Sequence, residues 1–389
     1  MIPRGERGNT KKLHGLIFPA FVMIGLATFL VQVLGQHPER AWQAYLINFL
    51  LWSAIAQGGL LFSVVLHVTK AKWGRPLQGL AESFAAFFPV SFALFLFLFL
   101  GKAHIFPWLH GDLYGKGWWL SIPFLFSRDT AGLLILYGLG FAYISSALRW
   151  KRSPTEGAEK LKDVYHHGMS VFGVLYIIAY AAVLSILAFD LVMSAEPQWI
   201  STLFGPYAFV KAFYMGLGGL IIIAAIIHLG RGEASPFSPS HFHDVGKLFF
   251  AFSMFWADLF YCQFLVIWYG NLPEETSYII ERTFLMPWKG LAWSVFIVGF
   301  IIPFLILLNR KVKTIPLFMI FLCSLVLVGM WFEHLLLVGP AFHPQAQSLP
   351  VSVTDGMISL GFLGLMAMSV RYLLTSFPEL LPARQAEVK

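Results

Sequence analysis

Ten apolar stretches recur along this chain, and each is long enough to cross a bilayer. They fall roughly at 15–35, 42–68, 80–101, 129–148, 168–193, 206–229, 246–270, 288–309, 315–337 and 353–374. About 20 residues rising ~1.5 Å each cover a hydrocarbon core ~30 Å thick. Lipid offers no hydrogen bonds to a backbone, so each stretch is expected to be an α-helix that satisfies its own amides. The longest connections, 102–128 and 149–167, leave no room for a soluble catalytic domain. Only 12% of the residues are charged, about half the share usual in a soluble domain. The basic residues behind the net charge of +7 sit in short loops. That is a membrane-topology pattern, and it argues against a nucleic-acid partner. Cys262 and Cys323 lie inside apolar stretches, so neither a disulfide framework nor a cysteine metal site is expected.

Most of the 27 lysines and arginines occupy the N-terminus, the loops after the second, fourth, sixth and eighth spans, and the C-terminus. The rule of cytoplasmic basic excess then places both termini in the cytoplasm of a multi-pass protein. The basic leader MIPRGERGNTKKLHG precedes an apolar run too long for a signal peptide, and is expected to begin a retained first helix.

A weak repeat is present. Gly58-Gly59-Leu60 followed by His67 recurs, 160 residues on, as Gly218-Gly219-Leu220 followed by His228. The offset is four spans, an even number, so both copies point the same way. This predicts an all-α membrane fold of ten transmembrane helices: two pseudo-repeated four-helix bundles (spans 2–5 and 6–9) plus two peripheral helices. Parallel repeats of this kind occur in membrane proteins. The implied divisions are 1–40 (first helix), 41–195 (first bundle), 196–340 (second bundle) and 341–389 (tenth helix and cytoplasmic tail).

Polar residues inside such spans are costly and mark function by default. The stretch DVGKLFFAFSMFWADLFYCQFLVIWYGNLPEET, residues 244–276, carries Asp258 near its middle. At 100° per residue Lys247, Met254, Asp258, Cys262, Leu265 and Tyr269 share one face. A carboxylate with a polar group towards each end of its stripe suits a proton half-channel; pairing with a neighbouring Tyr, Gln or Lys is the structural alternative. Gln57 is also central. His67 and His228 lie near the cytoplasmic face, whereas His104, Arg128, Asp129, Asp190, Lys211, Glu333 and His334 lie towards the outer one. Arg128-Asp129 opens the fourth span. Its carboxylate either caps the helix amides or forms, with His104, Arg128 and Tyr137, the polar corner of a quinol pocket, where quinol oxidation needs proton acceptors. Asp190, Lys211 and the Glu333-His334 pair are candidate proton-path groups. No Walker motif, dinucleotide fingerprint or cysteine cluster is present, so the chain has no visible means of holding a redox centre.

Residues 244–276 resemble the signature helix of the second NrfD-like membrane subunit of alternative complex III. The segments FDLVMSAEPQWISTLFGPYAFVKAF (189–213), AWQAYLINFLLWSAIAQGGLLF (41–62) and SRDTAGLLILYGLG (127–140) are similar to other parts of that family. The resemblance implies the two-bundle fold of the polysulfide reductase membrane subunit, in a bacterial cytoplasmic membrane. It implies a subunit without haem or metal, in a complex that oxidises menaquinol or ubiquinol. Its partners would be a paralogous NrfD-like subunit, an iron–sulfur subunit, and multi-haem and mono-haem cytochrome c subunits, in contact with lipids. The subunit that this chain resembles is regarded as a scaffold and proton path, with His104 and Asp129 matching the quinol corner and Asp190 and Asp258 placed to relay protons. A proton-coupled secondary transporter, and a cytochrome b carrying haem between His67 and His166 or His228, are the alternatives.

Overall fold

The computed structural model of the chain describes residues 6–153 and 159–381. It is all-α, with ten helices long and apolar enough to span a membrane. These are α1 Glu6–Val33, α2 Pro38–Val68, α3 Arg75–Ile105, α4 Ile122–Arg152, α5 Glu159–Ala195, α6 Phe204–Ala234, α7 Pro239–Gly270, α8 Trp288–Leu307, α9 Pro316–Phe342 and α10 Val353–Ser376. The chain is a multi-pass membrane protein. Ten crossings put the start of α1 and the end of α10 on one side, called here the near side; the other is the far side. The N-terminal residues 1–5 and the tail 382–389, whose basic residues enter the topology argument, lie outside the described residues.

Two helices form the centre. α2 is buried over nearly its whole length, and α6 over most of its own. They cross where neither carries a side chain. A Cβ on Gly58 would lie 2.2 Å from the Ala212 carbonyl oxygen, and one on Gly216 would lie 2.3 Å from the Gly58 carbonyl carbon. Small residues let membrane helices approach to backbone contact. Around this axis α2 also packs on α3, α5, α9 and α10, while α6 packs on α5, α7 and α9; α4 lies against α5, and α8 against α9. α1 packs chiefly on α10, through Gly25 against Gly361 and Gly364 against the Phe18 carbonyl. It also touches α2, where buried Phe29 packs on Trp42 and Tyr45.

Two spans are irregular. α3 tightens to a 3₁₀ stretch at Ser83–Phe87, immediately before Pro89. Proline has no amide hydrogen, and its ring would clash with the carbonyl four residues back. α8 widens to a π turn at Ile297–Ile301 before Pro303. The Gly299 carbonyl in that turn accepts the Tyr214 hydroxyl at 3.1 Å. At the far end of α7 the helix stops on Asn271, in the left-handed region at φ +46°, which asparagine adopts more readily than most residues. Pro273 then begins a short helix, Pro273–Thr283, with Glu274 and Glu275 in its first turn, where acids complement the helix dipole.

Candidate functional site

Many of the buried polar side chains gather into four clusters, three of them stacked along α4; others, such as Arg282 paired with Glu196, lie apart from these.

The far-side cluster joins α4 to α5. The Arg128 guanidinium donates to Asp190 Oδ2 through Nε at 2.8 Å and Nη2 at 2.6 Å, and the Trp119 indole donates to Oδ1 at 3.0 Å. The guanidinium lies over the Trp119 ring, 3.7 Å from its centroid, a cation–π contact that shields the pair from lipid. Asp190 is 0% exposed and Asp129, beside Arg128 in sequence, is 1% exposed. Neither oxygen of Asp129 has a hydrogen-bond partner among the described residues, nor does Arg128 Nη1. α4 begins at Ile122 with Ser121 as its N-cap residue. Asp129 therefore sits two turns inside the helix and does not cap it, and α4 does not open at Arg128-Asp129.

Halfway along, Gln57 Nε2 donates to the Tyr137 hydroxyl at 2.9 Å. That hydroxyl lies 2.8 Å from Ser91 Oγ, which is 2.6 Å from Ser53 Oγ. Tyr176 donates to the Gln57 carbonyl at 3.1 Å, while the side-chain oxygen of Gln57 is buried with no partner among the described residues.

On the near side, Lys151 donates to Glu82 Oε2 at 2.7 Å, and Ser63 bridges Glu82 (3.2 Å) and the Tyr143 hydroxyl (3.0 Å). Beyond it, His67 Nε2 lies 3.1 Å from Ser170 Oγ, and its ring packs on His166 at 4.8 Å between centroids. Asp129, Tyr137, Tyr143 and Lys151 are thus successive rungs on α4, roughly 12, 9 and 12 Å apart along its axis.

The fourth cluster lies between α6 and α9. Lys211 Nζ donates to both Glu333 oxygens, at 2.7 and 3.0 Å. The Tyr207 hydroxyl also donates to Glu333 and accepts from the Trp256 indole at 3.0 Å. His334 Nδ1 lies 2.7 Å from the Met330 carbonyl oxygen and 3.6 Å from Glu333. A cavity of about 50 Å³ separates this cluster from the middle one, lined by Ser53, Gln57, Lys211 and His334 among apolar neighbours such as Leu184 and Met215.

The remaining candidates lie elsewhere. His104 is half-buried in the last turn of α3 and makes no hydrogen bond among the described residues, so nothing joins it to Asp129. His228 packs edge-on against Phe242, with Nδ1 unpartnered. Asp258 is on the outward face of α7, exposed, with no ion pair or hydrogen bond among the described residues. The stripe of α7 that faces the bundle is Val245, Phe249, Ser253, Trp256, Gln263 and Ile267, so Asp258 is not the buried acid that its place in the sequence suggests. No three His, Cys, Asp or Glu converge on a metal-sized site among the described residues.

Ser53, Ser91, Ser63, Tyr143, Lys151, Tyr207 and Trp256 were not picked out by residue type. One signal was available. Gln57–Tyr137 and Ser63–Tyr143 are both 80 residues apart. Two spans that run the same way keep one sequence separation at one depth, so repeated polar pairs at a fixed offset mark a shared face. Among known proteins, no protein-family model and no curated protein matches the chain.

Proposed function

We propose that this chain is an integral membrane subunit of a quinol-oxidising respiratory complex of the alternative complex III type, serving as scaffold and proton path. The observation that carries the reading is the polar ladder on α2 and α4. Its rungs run from Arg128–Asp190–Asp129 through Gln57–Tyr137–Ser91–Ser53 to Ser63–Tyr143–Glu82–Lys151 and His67. Buried polar groups in lipid are costly and are retained along ion and proton routes. Hydroxyls both donate and accept, so serine and tyrosine can pass a proton by reorienting. The gaps between rungs exceed one hydrogen bond, and bound water would bridge them. The cavity beside Gln57 has room for about three waters. It would link the ladder to Lys211–Glu333–His334.

The far-side cluster sets two carboxyl groups against one guanidinium. Charge neutrality there requires one more positive charge, and a proton released by quinol oxidation would supply it. Under this reading Arg128 and Asp129 form the quinol corner, with the redox centres in partner subunits. The two-bundle arrangement belongs to the same proposal. It is supported by the packing of α2–α5 and α6–α9 as neighbours about the Gly58–Gly216 crossing. The assignment of the near side to the cytoplasm and the location in a bacterial cytoplasmic membrane belong to the proposal too; the cytoplasmic assignment rests on the basic excess of the near-side loops.

Gentle solubilisation through a tag on this chain tests the reading. Stoichiometric haem c and iron in partner subunits, together with quinol oxidation, are expected. A lone colourless chain that transports a solute would replace it with a carrier. The direct contact between His67 and His166 leaves no room for a porphyrin between those rings, which disfavours a cytochrome b built on that pair.

A further inference from the structure

Asp258 stands at the centre of the membrane. The apolar part of α7 runs from Leu248 to Tyr269, and Asp258 is roughly 15 Å of helix from either end. An aspartate side chain is too short to reach the interface from there, unlike lysine or arginine. Along its face lie Ala251, Met254 and Phe255 towards the near side and Tyr261 and Val266 towards the far side, all exposed. Tyr261, about one turn away, also makes no hydrogen bond among the described residues. Two polar groups are therefore presented together where lipid can satisfy neither.

Three ion pairs within the spans are arranged differently, and Asp129, though unpartnered among the described residues, is buried beside Arg128. Arg128 is paired with Asp190, Lys151 with Glu82, and Lys211 with Glu333, each at 2.6–2.7 Å. Each pair is made within the chain and turned inward. Asp258 has no such partner among the described residues.

We propose that the outward face of α7 is an interface for a transmembrane helix of a different chain, one that carries a lysine or arginine at its midpoint to pair with Asp258. Charge complementarity selects this occupant. Lipid tails supply no donor. A symmetric second copy would bring Asp258 against Asp258. Among the described residues, a copy docked through another face has no exposed cation to offer at this depth, because Lys102, Arg149, Arg231, Lys247, Lys289 and Arg371 all lie towards span ends. The proposal depends only on membrane embedding and holds whichever function the ladder serves.

The test uses the full chain in phosphatidylcholine vesicles with two fluorescent peptides. Each is an apolar helix of about 24 residues, long enough to span, with either lysine or leucine at its centre. Energy transfer between chain and peptide is expected to show at least about tenfold tighter association for the lysine peptide. Asp258→Leu should remove the preference, and Asp258→Lys should transfer it to a peptide with a central aspartate. The charge swap separates loss of pairing from loss of folding. Equal binding of both peptides, or a preference that survives Asp258→Leu, overturns the proposal. So does self-association of the chain that Asp258→Leu abolishes, because the occupant would then be a second copy.

Discussion

Gln57 on α2 donates its side-chain amide to the Tyr137 hydroxyl on α4 at 2.9 Å, in the middle of the membrane, with both residues buried. This bond is the central rung between the far-side acids and the near-side Glu82–Lys151 pair. It makes the ladder open to direct test.

If protons use the ladder, removing the Tyr137 hydroxyl breaks it with little change of shape. Tyr137→Phe keeps the ring that stacks on Phe88 at 4.5 Å. Proton translocation in vesicles should fall by about 10²-fold, the usual scale for losing a positioned proton-transfer group, while the assembled complex keeps its subunits. Unchanged coupling would leave the ladder as structure alone.

The α2–α6 crossing should tolerate no side chain. Gly58→Val and Gly216→Val each drive carbon into the opposing backbone, at 2.2 and 2.3 Å from the nearest atom. Overpacking a tight contact costs about 1–3 kcal/mol, and backbone cannot step aside as a side chain can. Thermal unfolding in detergent should occur at clearly lower temperature. Gly230→Ala is the control, since nothing lies within 4 Å of its added Cβ.

Lys211 and Glu333 are both almost fully buried. Lys211→Met should strand the Glu333 charge and destabilise the protein by about 3–5 kcal/mol, whereas Lys211→Met with Glu333→Gln should recover much of the loss, because the penalty comes from a buried unpaired charge. Denaturation of the two variants side by side distinguishes this from a packing defect, which the second substitution would not repair.

His343 predicts a pH dependence outside the spans. Its ring lies 2.8 Å, through Nε2, from Gln43 Oε1, tying the loop after α9 to the start of α2. Burial, and then the nearby Arg40 charge, hold the imidazole below the ordinary histidine range. The unfolded segment therefore takes up its proton at higher pH than the folded one. The docked neutral ring contributes fully above about pH 6.5, and that stability is lost as pH falls from there through the folded value, because burial and Arg40 disfavour the cation. Amide protection in residues 343–352, taken relative to the intrinsic exchange rate at each pH, should fall between pH 7.5 and 5, and His343→Asn should flatten the response.

Much of this architecture was legible in the residues. The apolar runs locate all ten spans, with ends displaced by up to nine residues. The largest shifts are at the starts of α1, α4, α5 and α7; in α1, α5 and α7 polar sequence such as ERGNTKKLH or PSHFHDVGK continues the helix beyond the apolar run, whereas α4 extends back through the mainly apolar IPFLFS, which Arg128-Asp129 interrupts. Arg128-Asp129 looked like a helix start because a charged pair there breaks the apolar run. Arg128, Asp190, Lys211 and Glu333 were recognised individually; their pairing across 62 and 122 residues was not.

Asp258 shows where the division falls. Its place midway along a membrane-length apolar run follows from residue type and spacing alone, because lipid imposes both length and helix. Helical periodicity then defines the stripes of α7, but every stripe of a helix in lipid is largely apolar, so pattern does not say which one is buried. That was decided by packing against α6 and α8, which took the stripe of Phe249, Trp256 and Gln263 inward and left Asp258 facing out. The sequence alone determined that this is a ten-span membrane protein with an acid at mid-depth; the tertiary structure decided which charges are paired within the chain and which face of α7 carries Asp258.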